Sequence, residues 1–338
     1  MTKKILVVGP SWVGDMVMAQ VLFKLIKQQE PTTQIDVLAP EWSLEILARI
    51  PEVSNNILLP IKHGQFALQQ RIAVARQLRL QAYDQAFILP NSWKSALIPW
   101  LARIPLRTGW LGEMRWGLLN DVRYLNKKVL PKMVQRFAAL AFASKAQLPS
   151  SLPVPSLSFS YSSVHNVLEK FALHVATPVL AVCPGAAYGP AKRWLPEYYV
   201  QVASEKLAAG WQVWFFGSQA DSEVIQIIQR QIPGSTTSFA GKINLLETVD
   251  LLSQASAVVT NDSGLLHIAA SLNKPLVAIY GSTSPNFTPP LGEKARVLTQ
   301  NLACSPCFKR ECPLGHFDCM RKIKPNQVLN ALASLEQS

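Results

Sequence analysis

Short apolar runs alternate along the chain with longer stretches in which apolar residues recur every three or four positions. The runs at 4–8, 34–39, 56–59 and 85–89 are separated by stretches at 15–28, 43–49 and 67–80 that each carry one apolar face. Compact apolar runs read as buried strands and amphipathic stretches as helices, and their repeated alternation predicts a doubly wound parallel sheet. The proline-rich segment 148–155 breaks the pattern, which then restarts. Strands are expected at 179–183, 212–216, 257–260 and 276–280, helices at 196–209, 221–231, 245–254 and 265–272, and a last amphipathic helix at 325–336. The expected fold class is α/β, with two Rossmann-like doubly wound parallel-sheet domains, 1–160 and 161–338, facing across a cleft.

The stretch from Val258 to Gly281 is the most informative. It reads as a strand end, the turn Asn261-Asp-Ser-Gly264, a short apolar helix, a stop at Asn273-Lys-Pro275 and a second buried strand. Ligands of open parallel sheets bind at the carboxyl ends of strands, where this turn falls. Ser263 and Gly264 open a helix, so their backbone N–H groups suit an anion. Asp262 would repel a phosphate and is expected to cap the helix or hold a hydroxyl. His267 follows one turn later on the same face. A capped helix with a satisfied histidine is the plain alternative.

Two further loops carry candidate chemistry. Gly9-Pro-Ser-Trp-Val-Gly-Asp-Met16 joins the first strand to the first helix. Ser11 breaks the dinucleotide pattern, and Asp15 stands where a P-loop needs lysine. A carboxylate at a helix N-terminus is held ionised and is a candidate general base, with a plain helix-stabilising aspartate as the alternative. Cys183-Pro-Gly-Ala-Ala-Tyr-Gly-Pro-Ala-Lys-Arg-Trp194 brings Lys192 and Arg193 to the edge that carries Ser263, which suits a diphosphate whose charge grows as it leaves.

Composition narrows the partners. The 338 residues are 49% hydrophobic and 16% charged, with a net charge of +12. The basic residues are dispersed, with no aromatic–basic stripe and no helix–turn–helix or zinc-finger signature. That argues against nucleic acid and favours an anionic substrate or membrane surface. No run spans a bilayer and no signal peptide is evident, so a cytoplasmic location is expected. Cys304, Cys307, Cys312 and Cys319 cluster. They are read either as a reduced loop or as a structural zinc site, the first pair alone having common zinc spacing.

Several blocks, in order, are similar to the lipopolysaccharide heptosyltransferase family, glycosyltransferase family 9. They are Gly9 to Met16, Leu89-Pro-Asn-Ser-Trp-Lys-Ser-Ala-Leu97, Arg107-Thr-Gly-Trp-Leu-Gly-Glu-Met-Arg-Trp-Gly-Leu-Leu-Asn-Asp121, Cys183 to Trp194, Asn261 to His267, and Cys304-Ser-Pro-Cys-Phe-Lys-Arg-Glu-Cys-Pro-Leu-Gly-His316. The resemblance implies a GT-B fold, with the final helix crossing back to the first domain. It implies an ADP-heptose donor and heptosyl-Kdo2-lipid A as acceptor at the inner membrane, with peripheral membrane association. It further implies inversion at the anomeric carbon, with no cofactor and no catalytic metal. Matched by position, Asp15 is the general base and Lys192 neutralises the leaving diphosphate. Ser11, Gly185, Ala187, Asp262, Ser263, Gly264 and His267 fall on the donor side, Ile243 lies along the adenine, and the ribose-binding acid falls near Gln219 or Asp221.

For the anionic acceptor, Lys62, His63, Lys94, Arg107, Arg115 and Arg136 are candidate grips, with plain surface roles as the alternative. Of Trp12, Trp93, Trp110 and Trp116, two or more are expected in the core. The competing functions are a family member with another donor or acceptor, and a non-enzymatic nucleotide- or nucleic-acid-binding α/β protein.

Overall fold

The computed structural model describes residues 2–62 and 64–336. In the first unit, Met1–Pro155, the chain runs β1 (Lys4–Val8), α1 (Val13–Gln29), β2 (Gln34–Ala39), α2 (Glu41–Leu47), β3 (Asn55–Leu58), α3 (Leu68–Arg79), β4 (Gln85–Ile88), α4 (Trp93–Leu101), β5 (Leu106–Trp110), β6 (Asp121–Arg123) and α5 (Met133–Ala139). The sheet order is β3-β2-β1-β4-β5-β6, parallel throughout, with Val7 opposite both Val37 and Phe87. β1 is central because its apolar residues are buried on both faces, as covered parallel sheets require. One side of the sheet packs Leu6, Val8 and Ile88 against Val74 and Leu78 of α3 and Ala96 and Ile98 of α4.

The second unit, Ser156–Ser338, has the same winding. It runs α6 (Tyr161–Lys170), β7 (Val179–Cys183), α7 (Pro196–Ala208), β8 (Gln212–Phe215), α8 (Ser222–Gln229), β9 (Thr237–Ser238), α9 (Leu245–Ser253), β10 (Ala257–Asn261), α10 (Gly264–Ser271), β11 (Leu276–Tyr280), β12 (Ala295–Thr299), α11 (Asp318–Arg321) and α12 (Pro325–Glu336). The order is β12-β11-β10-β7-β8-β9. Pro196 starts α7, where its missing N–H costs nothing. Asn244 and Glu247 close a capping box on α9: the Asn244 Oδ1 accepts from the Glu247 N–H at 2.8 Å, and the Glu247 Oε2 from the Asn244 N–H at 3.1 Å.

The units divide at Pro155, the last residue of the proline-rich segment and a few residues before the expected boundary. On α12, Val328, Leu332 and Leu335 lie in the core of the second unit, with β7, β8 and α7 residues around them. In each sheet the strand order reverses at its centre, between β1 and β4 and between β7 and β10. Carboxyl-end loops diverge there and leave a crevice, so the loops after β1, β7 and β10 are where a ligand is bound in this class of sheet.

Several elements lie outside the apolar alternation. β5 carries Arg107, Thr108 and Gly109, β6 has three residues, and β12 is an edge strand with mostly exposed positions. α6 is set by its cap, the Ser160 Oγ accepting from the Ser163 N–H at 3.1 Å.

Candidate functional site

In the second unit the loops after β7 and β10 are tied together by Asn261, the last residue of β10 and fully buried. Its Nδ2 donates to the Pro184 carbonyl at 2.7 Å. Its Oδ1 accepts from the Trp194 N–H at 3.1 Å and the Tyr199 hydroxyl at 2.9 Å. The loop 184–193 is therefore held from both ends against the switch point. Ser263 is the N-cap of α10 in extended conformation, yet its side chain makes no cap bond; its Oγ is 3.5 Å from the Thr260 Oγ1. The first-turn N–H groups of α10 open the helix beside it, an arrangement that attracts an oxyanion.

Lys192 ends a short 3-10 turn, Pro190–Lys192. Its Nζ donates to the Asp262 Oδ2 at 2.7 Å and to the Asp262 carbonyl at 3.3 Å. The Thr283 Oγ1 donates to the same carboxylate oxygen at 2.5 Å. Asp262 therefore does not cap α10. It is a buried carboxylate that fixes the ammonium, because a tertiary partner outcompetes the local cap. The Tyr188 ring lies 5.0 Å from the same Nζ, and its hydroxyl donates to the Phe308 carbonyl at 2.8 Å.

His267 is buried beside this pair. Burial pulls its imidazole down to about 4; Asp262 opposes the shift and Lys192 adds to it. At neutral pH it is uncharged, so it offers a ligand a hydrogen bond and no charge.

The glycine-rich loop has tight internal packing. A Cβ on Gly185 would run into the Asp221 carboxylate, so the glycine makes room for the chain's own side chain. The Asp221 Oδ2 accepts from the Ser218 N–H at 2.9 Å and the Ser218 hydroxyl at 2.7 Å, and its Oδ1 lies 3.6 Å from Arg193. Asp221 thus braces two loops. Ala187 is exposed and Ile243 half-buried, on the loops after β7 and β9.

In the first unit Asp15 sits in the first turn of α1, half-buried, three residues after the N-cap Trp12. Trp12 supplies no side-chain cap, so the carboxylate is the acidic group of that turn. The Ser11 carbonyl accepts from the Trp42 Nε1 at 2.8 Å, which pins the loop ahead of it.

The acceptor candidates do not form one anion-gripping set. Arg115 is fully buried. It donates to the Pro90 carbonyl at 2.7 Å and to the Trp110 carbonyl, and burial pulls it down to about 10. Arg107 donates to the Leu118 and Ile104 carbonyls at 2.7 and 2.6 Å, and Arg136 to the Leu130 carbonyl at 3.0 Å. These guanidiniums satisfy loop carbonyls that bends leave without partners. Lys62 is exposed, and the half-buried Lys94 reaches the Gly64 carbonyl at 3.5 Å. His63 lies outside the described residues. Of the four tryptophans only Trp110 is buried. Trp12 and Trp116 are exposed, and Trp93 stacks beside Phe66 at 5.1 Å.

Residues 71–318 match the sequence profile of glycosyltransferase family 9 (heptosyltransferase). The chain belongs to this family. It is 42% identical to lipopolysaccharide heptosyltransferase 2 of Escherichia coli K12, with 98% of both chains covered. It is 47% identical to lipooligosaccharide heptosyltransferase 2 of Haemophilus influenzae, over 87% of this chain and 88% of that one. The structure of E. coli ADP-heptose lps heptosyltransferase II superposes with a TM-score of 0.90, covering 99% of this chain and 98% of that one. The paired six-stranded parallel sheets are those of the GT-B fold that the family resemblance implied.

For this family-9 glycosyltransferase, sequence reasoning missed Thr283 and Asn261 as organisers of the Lys192 site. The signal for Thr283 was the polar run Ser282-Thr-Ser284 at the carboxyl end of β11. Cys304, Cys307, Cys312 and Cys319 line one small pocket with His316, and all four are free thiols. Among the described residues no three His, Cys, Asp or Glu side chains are grouped so as to hold a metal ion. Backbone N–H groups of Phe317, then Leu314, Gly315 and His316, hold the Cys312 thiol below its usual range.

Proposed function

We propose that the chain transfers heptose from ADP-heptose to the first heptose of the lipopolysaccharide inner core, at the cytoplasmic face of the inner membrane. The near-full-length identity to enzymes named heptosyltransferase 2 supports the substrate pair. The single structural observation that carries the donor side is the Lys192–Asp262–Thr283 cluster at the switch point of the second sheet, beside the open end of α10.

The acceptor hydroxyl attacks the anomeric carbon, and Asp15 of the first unit takes its proton. The anomeric C–O bond breaks, and its electron pair leaves on the ADP diphosphate. Lys192 and the α10 N–H groups of the second unit stabilise that growing charge, and His267 adds a neutral hydrogen bond. Ser263 and Gly264 let the backbone meet the phosphate, while Gly185, Ala187 and Ile243 of the second unit serve the nucleotide side. Asp262 acts through Lys192 and touches no phosphate.

The test is transfer from ADP-heptose to a defined heptosyl-Kdo2-lipid A acceptor, read by mass spectrometry as one added heptose. An acceptor left unchanged by folded protein, or extended equally well from another nucleotide sugar, would overturn the assignment.

A further inference from the structure

The parallel pairing of β1, β4, β5 and β6 puts the loops after β1, β5 and β6 on one carboxyl edge of the first sheet. The loop after β1 leads to Asp15. The other two loops expose large apolar side chains: Met114 at 88% and Trp116 at 62% after β5, and Tyr124 and Val129 at 67% each after β6. Isolated exposed apolar residues are ordinary, but four within sixteen positions on one edge are a patch. The Trp116 and Tyr124 ring centroids are 6.4 Å apart, which joins the two loops into one surface.

The display is built. The Asn126 Oδ1 accepts from the Lys128 N–H at 3.0 Å and the Val129 N–H at 3.4 Å, and its carbonyl accepts from the Leu130 N–H at 2.9 Å. That turn presents Lys127, Lys128 and Val129 together, and Arg136 fixes its end through the Leu130 carbonyl. The nearby acids are otherwise engaged: Asp121 pairs with Arg123 at 2.7 Å, and Glu113 accepts from the Trp93 N–H at 3.1 Å. Among the described residues no carboxylate pairs with Lys127 or Lys128.

We propose that this edge docks the protein on an anionic phospholipid bilayer. Amphipathic rings and a long methionine beside unpaired lysines match an interface that is apolar below and negatively charged above. Nucleic acid would use the lysines and leave Met114 and Val129 without a role. The proposal rests on the reading that the acceptor is lipid-anchored, and it explains how Asp15 is brought to that acceptor: the docking surface and the base share one sheet edge.

The experiment is co-sedimentation of the full chain with phosphatidylcholine vesicles, with and without about 30 mol% phosphatidylglycerol. Wild type is expected to bind the anionic vesicles and to be released as salt screens the lysines. Met114→Ser/Tyr124→Ser/Val129→Ser and, separately, Lys127→Gln/Lys128→Gln are each expected to lower binding at least about tenfold. Both keep near-wild-type transfer to a water-soluble acceptor stripped of its acyl chains. If wild type ignores both vesicle types, the membrane reading itself fails. If wild type binds and both variants bind equally well, this surface is wrong and the reading stands. Vesicle-independent dimers that either variant disperses would assign the patch to a second copy and overturn the proposal.

Discussion

The Lys192 ammonium and the Asp262 carboxylate meet at 2.7 Å, with 14% and 5% of the two side chains exposed. The ammonium is therefore anchored before a donor arrives, and the anchor carries a negative charge close to where the proposed diphosphate would lie. Asp262→Asn removes that charge and loosens the ammonium together. It is expected to leave ADP affinity unchanged or tighter while lowering kcat at least about tenfold, since each 1.36 kcal/mol of transition-state stabilisation is tenfold in rate. Calorimetry with ADP and steady-state kinetics check this. An unchanged kcat would show that the pair does not position Lys192.

Removing Lys192 separates stability from chemistry. Lys192→Ala strands a buried carboxylate, which costs roughly 3–5 kcal/mol when an ion pair is broken on one side, and it lowers turnover by about 10²-fold or more. Lys192→Met/Asp262→Asn is expected to recover most of the lost thermal stability and none of the turnover. Recovery of both would mean that the cation serves the fold alone.

His267 gives the fold a pH dependence of known sign. Burial holds its folded-state value at about 4, against an ordinary 6.5. Above 6.5 the imidazole is neutral folded and unfolded, and stability is complete. As pH falls from 6.5 toward 4 the unfolded chain takes a proton that the folded chain refuses, so stability drops, by roughly 3 kcal/mol at most. Below about 4 this loss ends. Urea denaturation at pH 7.5 and 5 should show a smaller decline in His267→Gln than in wild type; equal declines would remove the histidine from the account.

Arg115 shows what the sequence disguised. As a basic residue in a polar loop it reads as a grip for acceptor anions or as a solvated surface residue, yet it lies fully buried against the Pro90 and Trp110 carbonyls. Arg115→Gln is expected to destabilise the protein by about 2–4 kcal/mol through stranded carbonyls, with KM for the acceptor little changed in the folded fraction. A raised acceptor KM at undiminished thermal stability would restore the grip.

The central strands β1, β7, β10 and β11 were legible because each is a short apolar run covered on both faces. The turn at Ser263 was legible because a polar residue stands before an apolar helix. β5 and β12 were not, since edge and near-edge positions tolerate Arg107 and Arg296 and lose the apolar signal. Asp262 was read from its neighbours as a cap or as the holder of a hydroxyl; it does not cap α10, and it accepts from the Thr283 hydroxyl. Its partners Lys192 and Thr283 come from other strand ends, and only the sheet brings them together. The four cysteines carried a metal-like spacing, and the fold brings them to one small pocket, though among the described residues no three are grouped as metal ligands.

The division of labour between Asp15 and the Lys192 cluster is tested most directly by single-turnover heptose transfer with Asp15→Asn at saturating ADP-heptose and acceptor. The expected rate is lowered by about 10²-fold or more, with ADP affinity and thermal midpoint close to wild type. A transfer rate within a few-fold of wild type would show that Asp15 is not the base.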